Sequence, residues 1–332
     1  GEAVAALEDY SSSLRFDPNL GGVLSRRGRL YLQQNDLDNA ISDFSEAIRA
    51  EPGTDSASSY ACRALAYERK GNLDAALVDF ESALRLNQQI GWIYLEQGKL
   101  YQRQRRLPEA LADYSAAIRL KPGNKTFLQA RAKADQAAHH PEEELADLTA
   151  ILRIDPRDDF ALRARALALA AKGDAKNALP AFDDWIRYTQ SSKARESRSR
   201  FLAKQGDFGL IARDLRQEIA AGGRVDPSLR PRLAWLLATC PDPAIRDGRE
   251  AVAEATKACD DADWKDFSAL DTLAAAYAEE GHFAEAERFE RQALGIARWF
   301  SDKGGAQKRL ALYQKGLPYH ETPPPKRTAG RE

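Results

Sequence analysis

The sequence is poor in the residues that build metal and reactive sites. It contains three cysteines, four histidines and no methionine in 332 residues. No histidine is spaced with cysteine or glutamate in the way that zinc ligands are, and no strand-loop-helix pattern carries a Gly-rich phosphate loop. We therefore expect no metal and no cofactor.

The cysteines give no basis for a disulfide. Cys240 and Cys259 are expected at the C-terminal ends of two antiparallel helices, and such ends lie on the order of 15 Å apart. A disulfide tolerates only about 7 Å between Cα atoms. The odd number of cysteines is typical of a reducing compartment, so a cytoplasmic location is favoured.

Long apolar runs and an excess of charge are also absent. No apolar stretch approaches the roughly 20 residues that span a bilayer, so no membrane span is expected. The 49 Lys and Arg residues nearly balance the 50 Asp and Glu residues, which leaves a net charge of −1. Bulk attraction for nucleic acid or acidic lipid is therefore not expected. No carboxylate pair stands out for acid–base work in a buried pocket, so we expect no enzyme.

A pair of amphipathic helices is present at residues 24–52. Apolar and small residues lie on one face of each helix, the turn falls at Asn35, and Pro52 prevents a further helical turn. The facing positions are Leu24, Gly28 and Tyr31 in the first helix and Ala40, Phe44 and Ala47 in the second. The small residues allow close approach of the helices, and the aromatic rings fill the space around them.

This unit recurs along the chain. Its closing proline appears at Pro18 and Pro52, 34 residues apart, and again at Pro122 and Pro156, also 34 apart. Two units fit between Pro52 and Pro122, and a fifth follows Pro156. The small, aromatic and proline positions at this period resemble the tetratricopeptide repeat.

The resemblance implies an all-α fold, a right-handed α-α superhelix of antiparallel helix hairpins. It divides the chain into four parts. These are an array over 1–190 (a truncated first repeat and five repeats), a degenerate hairpin over 191–223, C-terminal repeat-like hairpins with a closing helix over 224–318, and a Pro-rich tail over 319–332.

The C-terminal part resembles a unit common in bacterial tetratricopeptide repeat proteins. The resemblance covers roughly residues 233–318 and includes Ala234-Trp235, the run ATCPD at 238–242, WKD at 264–266 and LDTLA at 270–274. It implies no assigned activity. Near the end of this part we expect a closing helix over 306–316. Beyond it, we expect the tail from Thr322 to be extended or disordered.

The N-terminal part reads as half a repeat. Residues 2–16 form a lone second helix, and Gly1 falls at the turn before it. We therefore expect natural sequence before Gly1, and an export signal lost with it would allow a periplasmic location. The apolar face that includes Leu7 and Leu14 should be covered by that sequence or by another chain, so self-association is expected.

Arginine and aspartate occur at positions symmetric about the turns. Residues at equal distances from the turn of an antiparallel hairpin lie level with each other, so we expect ion pairs between the two helices. The pairs are Arg27–Asp43, Arg63–Asp79 and Arg131–Asp147, with Gln97–Asp113 as a neutral variant. The alternative is an anion site built from the arginines, which the matching aspartates disfavour.

A candidate binding site lies on the first helices, which the resemblance places along the inner groove. The helical period puts a basic strip with two aromatics on their exposed side. The proposed partner-binding residues are Arg29, Trp92, Lys99, Arg103, Gln129, Lys133, Phe160 and Arg163. Such a strip suits an acidic, partly apolar peptide. In the alternative, Trp92 and Phe160 pack against the preceding second helices and the bases are only solvated.

Known carboxylate-clamp repeat proteins hold a C-terminal carboxylate with Lys and Asn on three first helices. The matching positions here are Ser25, Arg29, Cys62, Trp92 and Glu96. The clamp residues are missing, which argues against heat-shock chaperone tails as partners.

Three functions stay open at this stage. The favoured one is a non-enzymatic scaffold that binds a protein segment in the groove. The second is a helical-repeat nucleic-acid binder that uses the basic strip and the cluster Arg195, Arg198 and Arg200, although the near-neutral charge disfavours it. In the third, the array is the accessory part of a larger protein whose active domain precedes Gly1.

Overall fold

The computed structural model describes residues 2–221, 226–297 and 300–322. These residues contain eighteen α-helices, one 3₁₀ turn and no strand. The all-α repeat fold expected from the sequence is confirmed. The chain divides into two compact units, residues 1–191 and 192–332, which are described separately below.

Unit 1 is a lone helix followed by five helix hairpins. Each hairpin pairs consecutive helices, α2 with α3 through α10 with α11. The helices are α1 Glu2–Phe16, α2 Gly21–Gln33, α3 Leu37–Ala50, α4 Ala57–Arg69, α5 Leu73–Leu86, α6 Gly91–Arg103, α7 Leu107–Leu120, α8 Lys125–Ala138, α9 Pro141–Ile154, α10 Asp159–Lys172 and α11 Ala175–Thr189. The short insertion in the second repeat forms the 3₁₀ turn Thr54–Ser56.

The hairpin turns share one backbone device. Each contains a residue with positive φ, which ends the first helix in the left-handed region and reverses the chain. These residues are Asn35, Gly71, Arg105, His139 and Gly173. In three of the turns a polar side chain then caps the second helix by accepting a backbone hydrogen bond. These caps are Asp36, Asn72 and Asp174.

Close approach of the two helices depends on glycine in the first and third hairpins. A Cβ added to Gly98 would lie 2.7 Å from the Tyr114 ring, and one added to Gly28 would lie 3.0 Å from the Phe44 ring. Both rings are fully buried. The small and aromatic positions seen in the sequence therefore form the seam of the hairpin, where any added methyl would overpack the core.

The three predicted Arg–Asp pairs are confirmed. Each guanidinium donates two hydrogen bonds to its aspartate across the hairpin, at 2.7–2.8 Å. The same arginines also donate to a serine on the preceding helix. The serines are Ser11, Ser45 and Ser115. Because every arginine is engaged in this way, these residues stabilise the stack and form no anion site.

The predicted neutral pair in the third hairpin is wrong. Gln97 is buried, but Asp113 accepts no hydrogen bond from it, and the Asp113 Oδ2 atom is buried without a partner. The preceding helix carries Glu81 at the position where the helices before the first, second and fourth hairpins carry serine. A glutamine side chain is shorter than an arginine side chain and cannot supply the same fork of donors.

The expectation for the N-terminal helix is wrong in part. Leu14 is 8% exposed, because it packs against Leu24 and Ala47 of the first hairpin. No other chain is needed to cover it. Leu7 is half-buried, whereas Val4 and Phe16 are exposed.

The described residues of unit 2 form seven helices. They are α12 Ser192–Gln205, α13 Phe208–Ala220, α14 Leu229–Thr239, α15 Gly248–Asp261, α16 Phe267–Glu279, α17 Phe283–Ile296 and α18 Phe300–Tyr313. α14 contacts both α15 and α16, and α18 packs against α17 and α16. The closing helix expected over 306–316 therefore begins earlier, at Phe300, and ends at Tyr313. Gly222 and Gly223, at the expected boundary between the parts 191–223 and 224–318, lie outside the described residues.

A buried charged cluster holds α18 in place. Arg309 Nε and Nη2 donate to Asp271 Oδ1 of α16 at 2.9 and 2.6 Å, and Nε lies 3.4 Å from Glu290 Oε1 of α17. Glu290 is fully buried. Burial and the neighbouring Asp271 raise the pKa of Glu290, which favours the protonated form of its carboxyl group.

Part of the Pro-rich tail is ordered against unit 2. Tyr319, His320 and Glu321 contact α14, α16 and α18 through the interactions described below. The extended or disordered tail was expected from Thr322 onward, so these three residues lie outside that expectation. Residues 323–332 lie outside the described part of the chain.

Candidate functional site

The first helices of the five hairpins form the candidate site in unit 1. α2 contacts α4, and α6 contacts α8, so side chains of successive first helices meet. We call the surface that carries Arg29, Trp92, Lys99, Lys133 and Phe160 the first-helix face. Its residues recur at the repeat spacing, which is why one side of each first helix contributes to it.

Two of the proposed partner-binding residues, Arg29 and Arg103, form contacts with the first helix of a neighbouring repeat. Arg29 Nη2 of α2 donates to Ser58 Oγ of α4 at 2.5 Å. Arg103 of α6 pairs with Glu68 of α4. These contacts place Arg29 and Arg103 on the sides of α2 and α6 that are turned toward α4, as the repeat register requires.

The positive charge of the face is reduced by its own carboxylates. Lys99 Nζ lies 2.8 Å from Glu96 Oε1 on the same helix, and Arg103 pairs with Glu68. Among the described residues Lys133 and Arg163 have no ion pair. The charge open to a ligand is therefore that of Lys133 on α8, Arg163 on α10 and Arg29 on α2, which contacts the Ser58 hydroxyl and the Cys62 thiol.

The two aromatics of the face differ in environment. Trp92 is 37% exposed at the start of α6. Phe160 is half-buried, packs on the core between α8 and α10, and has Lys133 Nζ 4.9 Å from its ring centroid. The Lys133–Phe160 contact is a cation–π pair. The half-buried Phe160 therefore agrees with the alternative in which the aromatic residues pack against other helices. Trp92 instead has an exposed ring.

Two further predicted residues, Gln129 and Arg163, occupy a different repeat position from Lys99 and Lys133. Gln129 and Arg163 are half-buried, because their positions match the buried Leu95 of α6. The position 34 residues after Lys133 is Leu167, which is 41% exposed. The sequence reading missed Leu167, although the repeat spacing alone would have found it.

A cavity of about 460 Å³ adjoins Leu167 between α8, α9 and α10. Its lining residues are Gln136, His139, His140, Pro141, Glu144, Leu167, Ala168, Ala171 and Lys172. Asp135 stands here at a position that is aromatic in the preceding hairpins, and its Oδ1 lies 3.3 Å from His140 Nδ1. Burial raises the pKa of Asp135 and of Glu144.

A metal-ligand cluster and an exposed thiol are both absent from the described part of the chain. No group of three or more His, Cys, Asp or Glu there could hold a metal ion. All three cysteines are free and buried, and burial raises the pKa of Cys259 to about 12. None of the described helices is long and apolar enough to cross a membrane.

The arginine cluster of unit 2 is engaged by carboxylates. Arg195 Nε lies 3.3 Å from Glu218 Oε1. Arg198 pairs with Asp214, and Arg200 with Glu196. Each of the three arginines of this cluster therefore already has a carboxylate beside it.

Comparison with known proteins identifies the repeat. The family models described as tetratricopeptide repeat match residues 25–90, 63–125 and 268–298. No curated protein matches the sequence.

Among solved structures, the chain is similar to YrrB, described as a tetratricopeptide repeat protein with an unusual peptide-binding site. The identity is 18% and the TM-score 0.50, over 57% of this chain and 96% of YrrB. It is also similar to a tetratricopeptide repeat protein from Parabacteroides merdae, with 19% identity and a TM-score of 0.45, over 78% of this chain and 99% of that one.

Proposed function

Because this chain is a tetratricopeptide repeat protein, we propose that it is a non-enzymatic interaction scaffold whose first-helix face binds an acidic, partly apolar segment of a partner protein. The observation that carries the proposal is the exposed Trp92 ring on α6, on the same face as the Lys133–Phe160 pair. An aromatic side chain that becomes buried on binding is the residue type that contributes most to interface energy.

The charge of the face supports an acidic partner. Lys133 and Arg163 have no carboxylate partner among the described residues, so an incoming carboxylate would complete them. Arg29 contacts the Ser58 hydroxyl and the Cys62 thiol and remains a further positive charge. Lys99 and Arg103 contribute less, because Glu96 and Glu68 already neutralise them.

Exposed apolar surface on the face supports a partly apolar partner. Leu167 lies beside the 460 Å³ cavity and, with Trp92, provides apolar contact on two helices of the face. YrrB is described as having an unusual peptide-binding site, and we propose a peptide as the ligand here too.

Nucleic-acid binding is the competing function, and the ion pairs argue against it. Arg195, Arg198 and Arg200 are paired with carboxylates, and the net charge is −1. Phosphate binding would exchange these pairs for phosphate contacts and would weaken steeply with salt.

The test begins with selection of a displayed random peptide library on the immobilised full chain. We expect an enriched consensus of acidic and apolar residues. Fluorescence anisotropy with the best peptide should then show that Trp92→Ala weakens binding roughly 30-fold, which corresponds to about 2 kcal/mol. The thermal melting curve should be nearly unchanged, since Trp92 is partly exposed.

The matched control is Tyr188→Ala, because Tyr188 of α11 is 39% exposed and lies outside the face. It should bind the peptide as the wild type does. Equal binding by Trp92→Ala would contradict the proposal, and so would a collapse of its melting curve. Tight, salt-sensitive binding of a single-stranded oligonucleotide without peptide enrichment would favour the nucleic-acid function instead.

A further inference from the structure

The C-terminal segment of unit 2 lies across its helices as a peptide ligand would. We call residues 317–322 the strap. After α18 the chain turns at Gly316, which has a φ of +70°, and leaves the helical conformation. Glu321 N donates to the Thr239 carbonyl of α14 at 2.8 Å. Trp235 Nε1 of α14 donates to Glu321 Oε1 at 2.7 Å.

An aromatic stack holds the middle of the strap. The Arg309 guanidinium lies 5.3 Å from the Trp235 ring centroid and 5.6 Å from that of Tyr319. The centroids of Trp235 and Tyr319 are 6.1 Å apart. Farther along, His320 Nε2 lies 2.6 Å from Glu279 Oε2 of α16. The strap thus offers an aromatic ring and, two residues later, a carboxylate.

The surface beneath the strap is rigid, while the strap is lightly held. Arg309 is fixed by Asp271 and Glu290 in the buried cluster, and Thr239 is fully buried. No strap residue is buried, Leu317 is 50% exposed, and His320 and Glu321 are exposed. A segment with so few buried contacts exchanges at a low free-energy cost.

The groove continues beyond the strap. A cavity of about 550 Å³ extends from Trp235 and Glu321 between α12, α13, α14 and α16. Its further lining includes Arg200, Ile211, Leu215, Pro231, Arg232 and Leu236. Among the described residues Arg232 has no ion pair. The strap therefore fills one end of a longer groove that is lined by apolar side chains and by Arg232, which interacts electrostatically with the Asp226 carboxylate.

We infer that the strap is an intramolecular ligand and that its groove binds an extended segment of a partner protein. The partner segment carries an aromatic residue and a carboxylate two positions later, matching Tyr319 and Glu321, and a further acidic residue that reaches Arg232. It displaces the strap because it makes the same contacts and also fills the cavity. This site belongs to unit 2 and is independent of the first-helix face of unit 1.

The test uses the full chain with the double substitution Tyr319→Ser and Glu321→Ala, which removes the ring and the carboxylate that hold the strap and leaves the helices of the groove unchanged. The probe is a fluorescein-labelled peptide with the sequence of residues 316–322, GLPYHET. A linked segment competes at an effective concentration on the order of millimolar. We therefore expect the released variant to bind the probe at least about tenfold more tightly than the wild type.

Two controls assign the binding to this groove. Adding Trp235→Phe to the released variant keeps an aromatic ring but removes the donor to the carboxylate, and it should weaken probe binding. A probe with the same two substitutions as the strap should not bind. Trp92→Ala, in the other unit, should leave probe binding unchanged, so that failure of the proposed function and failure of this inference are distinguishable.

Equal affinity of the wild type and the released variant would overturn the inference, as would no binding to a released variant that is folded by circular dichroism. If releasing the strap instead lowers the melting temperature of unit 2 sharply, the strap is a structural part of that unit and the inference fails.

Discussion

Asp113 lies level with Gln97 across the third hairpin, yet its Oδ2 atom is buried and accepts no hydrogen bond. The position of Gln97 holds an arginine in the first, second and fourth hairpins, and that arginine pairs with the aspartate that matches Asp113. The nearby charge is Glu81 of the preceding helix, which is also negative. Burial and Glu81 raise the pKa of Asp113 to about 7. The third hairpin therefore contains a carboxylate whose environment favours the protonated form.

Restoring the arginine should stabilise the protein. In Gln97→Arg the guanidinium would lie between Asp113 and Glu81 and donate to both. A hydrogen bond to a charged group contributes about 1.5–3 kcal/mol. We therefore expect the free energy of unfolding at pH 8, measured by urea denaturation, to rise by an amount of that order. Gln33→Arg, on an exposed position of α2, is the control and should change little. An unchanged unfolding midpoint in Gln97→Arg would contradict the prediction.

The raised pKa of Asp113 predicts a pH dependence of stability. Its folded pKa of about 7 exceeds its unfolded value of about 4, so the folded state binds more protons between these values. Stability from this group therefore falls as the pH rises from about 4 to about 7, and it is flat above that. Subtracting the stability curve of Asp113→Asn from that of the wild type should show this fall.

The matched control for the pH experiment is Asp43→Asn, since Asp43 is paired with Arg27. At pH 8 it should destabilise the protein, whereas Asp113→Asn should not. If both substitutions change stability in the same direction at every pH, the assignment to Asp113 is wrong.

Substituting one member of a buried Arg–Asp ion pair should lower the free energy of unfolding more than substituting both members. Arg63→Gln reproduces in the second hairpin what the third hairpin has naturally, and it leaves Asp79, which is 4% exposed, without its partner. Loss of one member of a buried pair costs about 3 kcal/mol. The double variant Arg63→Gln with Asp79→Asn should be destabilised less than Arg63→Gln alone. A double variant whose loss equals the sum of the two single losses would show that the residues are not coupled.

The repeats were readable from the sequence because their determinants are local. A hairpin needs small residues where its helices cross, aromatic residues beside them and a left-handed turn, and each of these recurs at a fixed spacing. Gly28, Phe44 and Asn35 illustrate all three. The Arg–Asp pairs were predictable for the same reason, because symmetry about the turn determines which residues lie level.

The candidate site was less predictable, since exposure depends on neighbouring repeats. The helical period indicated a side for Arg163 but could not show that its position is half-buried, and the exposed Leu167 was missed. The basic character of the strip was also overestimated. Glu68 and Glu96 neutralise two of its charges, and Glu68 lies on a different helix from its partner Arg103.

The sequence by itself determined the helices, their turns and their pairing into hairpins, because those depend on residues within about 34 positions of each other. Only the tertiary structure decided that Glu321 meets Trp235, 86 residues away, and that Arg309 is shared by three helices. A contact of such separation is set by how α14, α16 and α18 pack together, and no local period encodes it. The strap groove therefore became visible only in three dimensions.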